Sequence, residues 1–130
     1  MTQERRVDMT KCLLIDEDCI GRRYLEQMLS GLGLEISLTA GADDALRFCN
    51  DNAPEVVMLS AETRGVIPKD LVKRLRFNAR GKPPVVFLYA ARADTEMFGQ
   101  TILEGAAEVL MMPFDRELLH FKLQQAGVLV

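Results

Sequence analysis

Short apolar runs alternate along this chain with stretches in which apolar residues return every three or four positions. The runs are Cys12-Leu13-Leu14-Ile15, Val56-Val57-Met58-Leu59, Val85-Val86-Phe87-Leu88-Tyr89 and Val109-Leu110-Met111. Runs this short and this continuous read as strands apolar on both faces, as in a parallel sheet. The first strand is read over Lys11–Ile15 and a second, alternating one over Leu34–Thr39. The third is Glu55–Leu59, the fourth Val85–Tyr89 and the fifth Glu108–Met111.

The helical spacing fills the gaps. Ile20, Tyr24, Leu25, Met28, Leu29 and Leu32 form an inward stripe, with Arg22, Arg23, Glu26 and Gln27 outward and Gly31 or Gly33 as the stop. Asp43–Asn50 is a short helix with Ala45, Leu46 and Cys49 inward. Pro68 opens a third, with Leu71, Val72 and Leu75 inward, and Pro83-Pro84 halts the chain before the fourth strand. Thr95–Glu104 is the fourth helix, and Asp115 caps a last one to about Gln125. Strands alternating with helices predict a three-layer (βα)5 α/β sandwich around a parallel sheet.

In such a sheet the carboxyl ends of the strands converge on one rim, where ligands bind. Asp16-Glu17-Asp18 follows the first strand, Ser60 the third, and Met112-Pro113-Phe114 the fifth. With 130 residues, the chain suits one domain with one core. Residues 1–8 read as a short flexible extension and 9–130 as the domain. A net charge of −3 argues against nucleic acid as the main partner. No apolar stretch reaches the roughly 20 residues of a membrane span, and no apolar leader opens the chain. Three cysteines, Cys12, Cys19 and Cys49, with no Cys-x-x-Cys, read as reduced thiols of a cytoplasmic protein.

Gly105-Ala106-Ala107-Glu108-Val109-Leu110-Met111-Met112-Pro113-Phe114 resembles a motif of the receiver domains of bacterial response regulators, the CheY-like family. Pro54-Glu55-Val56-Val57-Met58-Leu59-Ser60 and Leu14-Ile15-Asp16-Glu17-Asp18 resemble two others, in the same order and at the right intervals. The resemblance runs from about Met9 to Val130. It implies the flavodoxin/CheY-like strand order 2-1-3-4-5. In that family two acids and a phosphate-accepting aspartate hold Mg²⁺, a lysine and a Thr or Ser grip the phosphoryl group, and an aromatic residue on the fifth strand acts as a switch. Here Asp16 and Glu17 fill the acid positions, but Ser60 replaces the acceptor and Met112 the lysine. Tyr89 stands for the Thr or Ser, and Val109 for the aromatic. Tyr89 is then expected to fill the space in which the aromatic of the phosphorylated state packs.

A serine ester is far more inert than an acyl phosphate and needs a base to form. Mg²⁺ wants several hard oxygens, so Asp16 and Glu17 make a weak site at best and no other cofactor is implied. Losing one aspartate and one lysine leaves the pocket's charge balance unchanged. Two adjacent acids repel, with Arg64 the candidate cation between them. Ser60 reads either as a modified nucleophile or as a strand-end hydroxyl satisfying the backbone. The only histidine, His120, falls on the last helix, so no Ser-His-acid set is readable and no enzymatic activity is expected.

The chain is thus identified as a degenerate, stand-alone receiver acting by docking, as a monomer or weak dimer. Its expected partners are a histidine kinase, a phosphotransferase or a chemotaxis component, met through the fourth and fifth helices and fifth strand. The alternative is phosphate acceptance on Asp16, Asp18 or Ser60 in a phosphorelay. Arg64, Lys69, Lys73, Arg74, Arg76, Arg80 and Lys82 form a basic stretch opposed only by Asp70. It reads as a solvated helix face, or as a docking surface for an acidic partner, or as a site for nucleic acid or an anionic surface.

Overall fold

In the computed structural model, the described residues are 9–17 and 19–130, the side chains of Cys19 and Ile20 excepted. The readings made on residues 1–8 and on Asp18 lie outside them. The chain runs β1 (Lys11–Ile15), α1 (Cys19–Gly31), β2 (Glu35–Thr39), α2 (Ala42–Asn52), β3 (Val56–Ser60), α3 (Pro68–Phe77), β4 (Val85–Ala90), α4 (Thr95–Leu103), β5 (Glu108–Met111) and α5 (Arg116–Gln125). The five strands form one sheet in the order β2-β1-β3-β4-β5, each pair parallel.

Strand burial follows position in that order. Central β3 is buried at every residue, whereas edge strand β2 is at most half-buried. The core divides into two layers because successive strand side chains point to opposite faces. Cys12, Leu14, Val56, Met58, Phe87, Tyr89 and Leu110 pack on one face with Leu25 and Leu29 of α1 and Leu119 and Leu123 of α5. Leu13, Ile15, Val57, Leu59, Val86 and Leu88 pack on the other with Ala45 of α2 and Leu71, Val72 and Leu75 of α3.

The helices begin where local chemistry allows. Pro68 occupies the first turn of α3, where its missing N–H costs nothing. The Asp94 carboxylate accepts from the Met97 N–H at 3.1 Å and that of Asp115 from the Leu118 N–H at 2.8 Å, capping α4 and α5. Gly105, at φ 121°, turns the chain from α4 into β5 while the Arg76 side chain lies against its Cα.

Two readings need correction. Tyr24 belongs to the α1 stripe by spacing but is 48% exposed. Its hydroxyl donates to the Phe114 carbonyl, in the β5–α5 connection, at 3.4 Å. Ser60 closes β3 itself, one residue beyond the apolar run. Among the described residues no helix is long and apolar enough to cross a membrane.

Candidate functional site

The chain leaves β1 toward β2 on one side and leaves β3 toward β4 on the other. The crevice at this switch point lies between the carboxyl ends of β1 and β3. Register fixes what stands there. Ile15 pairs with Leu59 and Ser60 with Tyr89, so Asp16, Ser60 and Tyr89 stand in one row across three strands. All three are buried: Asp16 is 3%, Ser60 6% and Tyr89 4% exposed.

The Tyr89 hydroxyl donates to Asp16 Oδ2 at 2.6 Å. Parity explains the meeting. Tyr89 follows Phe87 on the α1/α5 face, and Asp16 continues the alternation of Cys12 and Leu14 on the same face. A buried carboxylate needs polar partners to offset its lost hydration, and a short charge-assisted bond supplies one. Tyr89 thus fills the rim beside Asp16. Val109 registers with Leu88 and packs in the opposite layer from Tyr89.

Ser60 Oγ accepts from the Glu62 N–H at 3.3 Å, the backbone-satisfying arrangement. Met112 follows β5, donates its N–H to the Ala90 carbonyl at 2.8 Å and precedes a cis peptide to Pro113. Its side chain packs, half-buried, against the α1/α5 layer. It thus brings a thioether to the rim where an ammonium would bring charge.

Glu17 is exposed, and so is Arg64, which forms no ion pair with either acid among the described residues. The cation at the acidic turn is instead Arg22 of α1, whose Nη1 donates to the Asp16 carbonyl at 3.1 Å. One turn of helix brings Arg22 back over the strand end, whereas Arg64 lies within the β3–α3 turn with its side chain exposed. His120 sits half-buried within α5 and hydrogen-bonds to none of these side chains among the described residues.

Glu62 carries no motif, and the sequence reading passed over it. Its carboxylate accepts from the Ala91 N–H at 3.1 Å and the Arg92 N–H at 3.4 Å. It therefore ties the β3–α3 turn to the start of the β4–α4 loop, a link created by the Ser60–Tyr89 register. Buried Thr63 donates to the Ile15 carbonyl at 3.4 Å and closes the same turn onto β1. Among the described residues no cluster of three or more His, Cys, Asp or Glu is arranged to hold a metal ion. Burial pushes the Cys12 thiol up to about 12 and that of Cys49 up to about 11.

The chain superposes on receiver domains of known structure. A putative response regulator from Chloroflexus aurantiacus matches with a TM-score of 0.83 and 24% identity, covering 91% of this chain and 97% of that one. The chemotaxis protein CheY4 of Vibrio cholerae matches with a TM-score of 0.81 and 22% identity, over 91% and 98% of the two chains. The receiver domain of a Pseudomonas aeruginosa sensor histidine kinase, solved with magnesium in its active-site cleft, matches with a TM-score of 0.79 and 19% identity, over 92% and 99%. A two-component response regulator of rice (Oryza sativa subsp. japonica) is 25% identical over 112 residues, 84% of this chain. The chain spans only 17% of that protein's length. No family model matches. The fold is the flavodoxin/CheY-like fold of response-regulator receiver domains.

Proposed function

We propose that this chain is a receiver domain of two-component signalling that works by docking, without a phosphorylated aspartate. The observation that carries the reading is the bond from Tyr89 to Asp16. It puts a phenol ring on the rim and commits one oxygen of the buried acid. Ser60 brings a neutral hydroxyl where a receiver carries its acceptor, and Met112 no charge where a receiver carries lysine. A tetrahedral anion entering here meets a hydroxyl and not a carboxylate at Ser60, and a thioether and not an ammonium at Met112.

The donor set fits Mg²⁺ poorly: one carboxylate committed to a phenol, one exposed carboxylate and a hydroxyl. Asp16 and Glu17 hold that ion weakly at best, and no step of the proposed function passes through it. The domain is not an enzyme and acts in the cytoplasm.

Its partner is a signalling protein: a histidine kinase, a phosphotransferase or a chemotaxis component. The outer surface of α4, β5 and α5 suits such contact. Ile102, Leu103, Met111, Leu118 and Phe121 are exposed there, Leu103 at 86%. Apolar side chains exposed on neighbouring elements of a monomer or weak dimer suit an interaction site.

Intact mass after incubation with acetyl phosphate and Mg²⁺ tests the reading. The wild-type chain gains nothing. The Ser60→Asp, Met112→Lys, Tyr89→Thr variant, with acceptor, cation and space restored, gains one phosphoryl group. A hydroxylamine-sensitive phosphoryl on the wild-type chain overturns the proposal and favours a phosphorelay role through a substitute acceptor.

A further inference from the structure

The basic stretch of the sequence becomes one surface. Seven of the chain's sixteen Lys and Arg lie between residues 64 and 82, against one of its nineteen acids, in a chain of net charge −3. The inner side of α3 is spent on the core through Leu71, Val72 and Leu75. Lys73 and Arg74 are exposed on its outer side, and Arg80 and Lys82 in the loop that follows. Among the described residues none of these four forms an ion pair. Phe77 stands among them, 87% exposed.

A cleft opens beside this surface, at the end of the sheet opposite the rim. It has a volume of about 230 Å³, with Leu46, Cys49, Pro54 and Leu75 among its walls and Arg80 and Lys82 also lining it. That is below the roughly 300–1,000 Å³ of drug-sized ligand sites and of the scale of one large side chain. Apolar walls flanked by cations of like sign suit an apolar group carried between negative charges.

We infer that α3 and the 78–84 loop dock an acidic peptide segment with one apolar anchor. The anchor sits in the cleft, and the flanking carboxylates meet Lys73, Arg74, Arg80 and Lys82. Other anionic occupants fit less well. Nucleic acid meets a molecule of net negative charge and gains nothing from an apolar cleft. A lipid surface needs an apolar helix face to insert, and the apolar face of α3 is buried in the core. The inference does not rest on the chemistry of the rim, and its failure leaves docking through α4, β5 and α5 untouched.

The test is selection of a phage-displayed random dodecapeptide library on the wild-type chain, followed by fluorescence anisotropy with the enriched peptides. Enrichment of acidic peptides bearing a Leu, Met or Phe is expected. Affinity falls about tenfold when that anchor becomes Ala, and about tenfold again on the Arg80→Glu, Lys82→Glu variant. Both substituted residues are exposed loop positions, and circular dichroism of the variant checks its fold. No enrichment, peptides lacking acid or anchor, or equal binding by the variant overturns the inference. So does tighter binding of duplex DNA or phosphatidylserine vesicles than of every selected peptide.

Discussion

Tyr89→Phe removes one oxygen and leaves the ring, so it isolates the hydrogen bond on which the reading of the rim depends. The bond is 2.6 Å long, joins a neutral donor to a carboxylate, and lies between residues 4% and 3% exposed. A hydrogen bond to a charged group contributes about 1.5–3 kcal/mol, and water has little access here to replace the lost donor. The apolar surface buried by the ring is nearly unchanged. The variant should therefore lose about 2 kcal/mol, a large share of the roughly 5–15 kcal/mol of a domain this size. In heat this is a fall of roughly 5–10 °C in Tm. Urea titration followed by circular dichroism measures it, with an unchanged slope showing that the surface exposed on unfolding is the same. A double-mutant cycle with Asp16→Ala then separates the bond from everything else either residue touches, and its coupling energy should exceed about 1 kcal/mol. A Tyr89→Phe variant within about 0.5 kcal/mol of wild type, or a coupling energy near zero, refutes the claim that Asp16 is committed to Tyr89.

Glu62→Gln should weaken the tie between the two rim loops, and amide hydrogen exchange should speed up at Ala91 and Arg92 while the core of β3 stays protected. Asp115→Ala removes the cap of α5 and should cost about 1 kcal/mol in the same urea assay. Cys12 and Cys49 keep their protons in the folded state to about 12 and 11, against about 9 when exposed. The folded chain thus holds protons that the unfolded one releases, and stability should be full below pH 9 and fall as pH rises toward 11 and beyond. Urea midpoints between pH 8 and 11, compared with those of a Cys12→Ala, Cys49→Ala variant, read this loss; parallel curves count against it.

The rim shows why a site is harder to read than a fold. Val56–Leu59 announces a central strand because a strand covered on both faces has to be apolar at every position. Pro68, Asp115 and the turn at Gly105 act within a few residues of themselves, so they too are legible. The resemblance supplied the positions of Asp16, Ser60, Tyr89, Val109 and Met112, but not which of them touch. Tyr89 and Asp16 are 73 residues apart, and they meet through the pairing of Ile15 with Leu59 and of Ser60 with Tyr89. The same register gives Glu62 its role and puts Val109 on the far face.

Local pattern by itself determined the five strands, their helices and the layers, because hydrophobic burial acts on each segment alone. The tertiary structure alone decided that Tyr89 holds Asp16, that Arg22 and not Arg64 stands at the acidic turn, and that Tyr24 lies outside. Those outcomes depend on strand register, on the face each side chain takes and on where a helix returns, and no single segment encodes them.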